Sequence, residues 1–115
     1  MGAVRPYTSS SMANSRLETL QQMVEQDPKG SFARYGLAME LVRGGDLDGA
    51  TEQFNVLLLH NPDYAAGYFH SGQTFEKLGR IDEARQLYLA GIDVTTRTGD
   101  GHTRSELQAA LDILG

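Results

Sequence analysis

The 115-residue chain contains no cysteine. Disulfide staples, thiolate metal sites and a cysteine nucleophile are therefore excluded, and cysteine usage leaves the redox compartment open. Long hydrophobic runs are missing as well. The densest, Val56–Leu59, is four residues long, against the ~18 that a membrane helix needs. Positive charge is scarce, with ten Lys and Arg against fifteen Asp and Glu and a net charge of −5. A phosphate backbone would find little to attract it, which argues against a nucleic-acid partner. Residues 1–11 carry Arg5 with no apolar core behind it, unlike a secretory signal. Pro6 stands where N-myristoylation wants Ser or Thr. What remains, with 40% hydrophobic and 22% charged residues, is the composition of one soluble globular domain with an ordinary core, expected by default to be cytoplasmic and without membrane contact.

Residues 1–13 read as a disordered leader: Gly2, Pro6 and the Thr8–Ser11 run offer no periodicity, and Met12 is an alternative start. From Asn14 the apolar residues follow helical spacing. Leu17, Leu20, Met23 and Val24 form a stripe that ends at Asp27-Pro28. The spacing predicts further helices over about 32–43, stopped by Gly44-Gly45; 47–60, closed by Asn61-Pro62; and 65–78, ended by Gly79. A fifth starts at Ile81 and runs to Thr96 or Arg97, then Thr98–Gly101 forms a loop. The last spans about 103–114, with Leu107, Ala110, Leu111 and Leu114 as its stripe. No segment alternates long enough to make a strand. The chain is expected to be all-α, with six helices joined by short turns into antiparallel neighbours.

A shift of 34 residues aligns Gly45 with Gly79, Asp48 with Asp82 and Ala50 with Ala84. It also carries Leu41 to Phe75, Leu47 to Ile81, Phe54 to Tyr88, Leu58 to Ile92 and Pro28 to Pro62. Each position has a task in a helical hairpin. The glycines suit a left-handed backbone where the first helix ends. The alanines are small where two helices cross, and the rings fill the space between them. The aspartates sit in the first turn of the second helix, at the positive end of its dipole.

This pattern, Gly45-Asp46-Leu47-Asp48-Gly49-Ala50 with Phe54 and Asn61-Pro62, then Tyr68, Gly72, Phe75, Gly79, Ile81-Asp82-Glu83-Ala84 and Tyr88, resembles the tetratricopeptide repeat family. The resemblance implies a short right-handed superhelix of stacked hairpins over residues 14–115. Its parts would be a half unit (14–30), two full units (31–64 and 65–98) and a capping helix (102–114). Three residues depart from the pattern. Arg34 takes the aromatic position that Tyr68 fills, Leu57 replaces a small residue, and Thr96 stands at the unit-ending proline. The fifth helix is therefore expected to overrun, and the last to cover the second unit.

Candidate chemistry is sparse. His60, His70 and His102 form no metal-ligand pair. Asp46-x-Asp48-Gly49 opens like a calcium loop, but Thr51 and Leu57 stand where its glycine and bidentate glutamate belong. Gly99-Asp100-Gly101-His102 with Ser105 reads as a turn capping the last helix. No GxGxxG, P-loop or nucleophile elbow occurs. Neither an enzyme, a metal site nor a cofactor is expected.

The resemblance instead implies a concave groove, lined by the first helices, that takes a peptide or helix of a partner protein. Its lining is expected from Phe32, Tyr35, Met39, Val42 and Arg43 in one unit, and Ala66, Phe69, His70, Gln73, Glu76 and Lys77 in the next, none of them a main inter-helix contact. Chaperone-binding relatives hold a C-terminal carboxylate with Lys and Asn, and here Tyr35 and Met39 stand at those places. The alternative is homo-oligomerisation, as a dimer, through the same groove or the half unit.

Overall fold

The computed structural model describes residues 8–115, with side chains from Ser15 onward. Six helices follow one another: α1 (Thr8–Gln26), α2 (Ser31–Arg43), α3 (Leu47–His60), α4 (Ala65–Lys77), α5 (Ile81–Thr98) and α6 (Gly101–Leu114). Among the described residues there is no strand, and no helix is long and apolar enough to cross a membrane. Each helix packs on the next, and α6 also reaches α4. The stack extends 57 × 31 × 20 Å.

The 34-residue register is exact in the helix bounds: α2 and α4 start and end one repeat apart, and α3 and α5 start one repeat apart. Gly45 (φ +88°) and Gly79 (φ +76°) take the left-handed conformation. Beside them the Asp46 and Arg80 amides donate to the Leu41 and Phe75 carbonyls, each at 2.9 Å, closing α2 and α4 by the same motif. At the crossings Ala50, Phe54, Ala84 and Tyr88 have no exposed surface.

Five boundaries differ from the sequence expectation, two of them by a single residue: α2 begins at Ser31 and α4 ends at Lys77. Helix α1 begins at Thr8 rather than Asn14, because nothing after Pro6 breaks a helix and hydroxyl residues are tolerated in a first turn. Only part of the expected leader, residues 1–7, lies outside the described residues. Helix α5 overruns to Thr98, as the missing proline implies, and goes slightly further than Arg97. Gly99 (φ +80°) then ends it, and the Asp100 carboxylate accepts from the Thr103 amide at 3.1 Å. Helix α6 thus starts at Gly101, and the four-residue loop expected over 98–101 shortens to a tight turn.

The two departures inside the first full hairpin are each compensated. Arg34, 9% exposed, donates from Nη2 to the Pro28 carbonyl at 2.8 Å and from Nη1 to Gln53 Oε1 at 2.7 Å. One repeat later the Tyr68 hydroxyl donates to the Pro62 carbonyl at 2.7 Å. A guanidinium and a phenol do the same job, tying a helix to the turn before it. Leu57 is buried where the next unit has Gly91, and Gly67 on the facing helix gives it room: a Cβ there would sit 3.2 Å from Leu57. At Gly91 the exchange is reversed, since a Cβ would lie 2.9 Å from Leu107 of α6.

Of the α6 stripe, only Leu107 is fully buried; Ala110, Leu111 and Leu114 pack half-buried against the core around Tyr68, Ala84 and Tyr88.

Two outcomes are expected. Arg34→Leu strands the Pro28 carbonyl and Gln53 and should cost about 1–3 kcal/mol in urea unfolding, whereas Arg34→Tyr, which copies Tyr68, should recover part of that loss. Equal losses for both would refute the equivalence. Deleting residues 102–115 uncovers the core around Tyr88 and should unfold the chain or drive it to associate; a monomeric, cooperative melt near the full-length temperature would show that α6 is dispensable.

Candidate partner-binding face

The first helix of each hairpin presents the residues expected to line a groove. At about 100° per residue, positions 32, 35, 39 and 42 of α2 share one stripe. Tyr35 lies at its centre but is not the free ring anticipated. It packs on the core of its own unit with Met39 and Val42. Its ring stands edge-on to Phe54 at 6.5 Å, tilted on Tyr64 at 5.3 Å, and edge-on to His70 at 5.8 Å. The expectation that no lining residue is a main inter-helix contact is thus corrected: Tyr35 bridges α2, α3 and α4.

Phe69 continues the row, edge-on to His70 at 5.2 Å and tilted on Tyr88 at 6.4 Å. The result is a half-buried ledge, Tyr64–Tyr35–His70–Phe69, that crosses the boundary between the hairpins. Tyr64 was not among the expected residues. It sits in the turn before α4, where periodicity carries no signal, and its repeat counterpart is Gly30.

The other expected residues are scattered. Phe32 is 79% exposed and borders a separate cavity of about 360 Å³ with Met23 and Gln26 of α1 and Asp27 just after it. Ala66 is half-buried, and Gln73 and Lys77 are exposed. The Tyr88 hydroxyl donates a hydrogen bond to the Glu76 carboxylate, which directs that side chain towards α5. Arg43 is largely exposed at the end of α2, 3.4 Å from Glu40. Glu40 also takes two hydrogen bonds from Arg16 of α1, at 3.4 and 3.3 Å. The Arg16 hydrogen bonds, with Arg43 alongside, hold the Glu40 carboxyl below the usual carboxylate range.

The electrostatics of the ledge favour neutral groups. Burial raises the Tyr35 and Tyr64 phenols, the former further by its neighbour Tyr64. Burial lowers the His70 imidazole, with Lys77 adding to the shift and Glu106 opposing it. Rings that resist charging present a face suited to apolar contact.

No protein-family profile matches the chain. A tetratricopeptide repeat domain protein from Salinibacter ruber, solved in solution, is 36% identical, with a TM-score of 0.73 over 76% of this chain and 89% of that one. This chain belongs to the tetratricopeptide repeat family. A TPR repeat-containing protein of Pseudomonas aeruginosa is 25% identical over 95 residues, 83% of this chain and 90% of that protein. The type III secretion chaperone SycD of Yersinia enterocolitica, crystallised with a peptide of the translocator YopD, shares the fold at 14% identity. Its TM-score is 0.82 over 92% of this TPR chain and 82% of the chaperone.

His70 yields a pH prediction. Its folded pKa lies below the ordinary value of 6.5, so in that interval the unfolded chain binds more protons and stability rises with pH. The TPR domain should lose stability as pH falls below about 6.5, before the carboxylates titrate. His70→Phe should flatten the dependence between pH 7 and 5.5 in urea titrations. An unchanged slope would mean that His70 is not desolvated.

Proposed function

We propose that this TPR protein is a binding module, not an enzyme, that takes a segment of a partner protein along the ledge of its first helices. Residues 31–64 and 65–98 serve as its two full units, 14–30 as a half unit and 102–114 as the cap. The observation that carries the reading is the row Tyr64–Tyr35–His70–Phe69. Four half-buried rings span the hairpin boundary with Phe32 standing exposed beyond them. Such surfaces supply burial at low side-chain entropy cost. The SycD–YopD complex supports a peptide partner by analogy. Tyr35 and Met39 offer no charge for a terminal carboxylate, so the partner segment is apolar or amphipathic, captured as a helix or an extended strand.

A second reading, self-association through the half unit, rests on one feature. Leu20 is half-buried and Met23 exposed, at the register of the fully buried Phe54 and Leu57.

Capture from an extract of the source organism tests the first reading. A partner held by the wild type should be lost with Phe69→Ala plus His70→Ala, two half-buried ledge rings, while circular dichroism shows the helices retained, and kept with Leu59→Ser on the outside of α3. Loss with Leu59→Ser alone would move the site off the ledge. Sedimentation tests the second: a wild-type dimer that Met23→Glu dissociates would favour it.

A further inference from the structure

A second cavity, of about 300 Å³, lies between α3, α4 and α5. Ser71 and Phe75 reach it from α4, lying about 120–160° around the helix from Phe69 and Gln73. The cavity therefore faces away from the ring ledge. Leu58, Phe75 and Leu87 form its apolar wall.

The repeat shows how its lining differs from the preceding boundary. At the 34-residue shift Thr51 stands where the preceding boundary has Leu17, and Ser71 where it has Leu37. Leu37 is 4% exposed. Two isobutyl groups are thus replaced by two short hydroxyl side chains, while Val24, Leu41 and Gly49 give way to the larger Leu58, Phe75 and Glu83. Ser71 is itself 2% exposed, lines the cavity, and its hydroxyl makes no hydrogen bond among the described residues. Thr51 Oγ1 donates to the Asp48 carbonyl at 2.8 Å and keeps its lone pairs free.

Charge narrows the ligand. The Arg80 guanidinium lies 4.8 Å from the Phe75 ring centre. It is forked onto Glu83, Nε to Oε1 at 2.5 Å and Nη2 to Oε2 at 2.6 Å. Those donors are already committed. Glu52, in the same lining, makes no ion pair among the described residues. Two carboxylates against one guanidinium leave one negative charge unmatched, and acceptors outnumber free donors.

We propose that this cleft binds a primary ammonium group on a short apolar stem, the stem against Leu58, Phe75 and Leu87 and the ammonium between Glu52 and the Ser71 and Thr51 hydroxyls. The chemistry is that of a free alkylamine or of a lysine side chain presented by a partner.

Amide-resolved NMR titration of the full chain tests it. n-Butylamine should shift the Ser71, Phe75 and Leu87 amides at least about tenfold more tightly than n-butanol or butanoate. N-acetyl-lysine N-methylamide separates the sources. Binding equal to that of butylamine identifies a protein lysine, and binding of butylamine alone identifies a free amine. Glu52→Gln, at an exposed site, should weaken the amine about tenfold. Thr51→Leu with Ser71→Leu, which copies the first boundary, should raise the melting temperature and abolish binding. Equal binding of amine and alcohol, an indifferent Glu52→Gln, or a filled variant that melts lower and still binds would overturn the proposal.

Discussion

The structure depends on the close approach of paired helices, which is possible only where one side of each contact is small. Gly72 is the clearest case: a Cβ there would overlap the Tyr88 ring. Because it is absent, the Tyr88 ring packs close against α4 with no exposed surface and still reaches Glu76 with its hydroxyl. Burial of this phenol, reinforced by that carboxylate, pushes its pKa far above the ordinary value. Ala38 and Ala50 play the small part around Phe54 in the preceding hairpin. Large-into-small packing of this kind fixes the spacing of each hairpin, and the neighbouring contacts must follow it.

That constraint is met with different residues in successive units. Where α4 docks, Leu57 is large and Gly67 small; where α6 docks, Gly91 is small and Leu107 large. The volume is conserved while the side that supplies it changes. Arg34 and Tyr68 show the same tolerance for a polar task, each holding the carbonyl of the proline before its helix. A repeat can thus lose identity and keep geometry, which is why the 34-residue register is clearer in the helix bounds than in matching letters.

Legibility follows from how local each cause is. Helices α2, α3 and α4 could be bounded to within a residue because Gly45, Gly79, Pro28 and Pro62 act on their own backbone. The start of α1 could not, since hydroxyl residues suit a first turn and a loop alike. The α2 and α4 stripes could be read from spacing, but the ledge could not. Tyr64 comes from a turn, and its stacking on Tyr35 depends on how two hairpins meet. Half-burial of Tyr35 has the same origin, because only tertiary contact decides whether a helix stripe faces solvent or its neighbour. The open cleft lies between these cases. The exchange of Leu17 and Leu37 for Thr51 and Ser71 is visible in the repeat, while the cavity needs Phe75 and Arg80 in place.

Helix α4 separates two surfaces of opposite character. On the ledge side burial favours the neutral forms of Tyr35, Tyr64 and His70. Contact there gains from removing apolar area and loses if a charge is brought in unpaired. On the far side Ser71 and Phe75 meet Glu52, Glu83 and Arg80, where a carboxylate without a partner favours positive charge. The residues responsible alternate along one helix, 69 and 73 against 71 and 75, so neither surface can be enlarged without intruding on the other. A bulky side chain at 72 would meet Tyr88 and disturb both. The glycine that lets the hairpin close is therefore also what keeps the two chemistries apart.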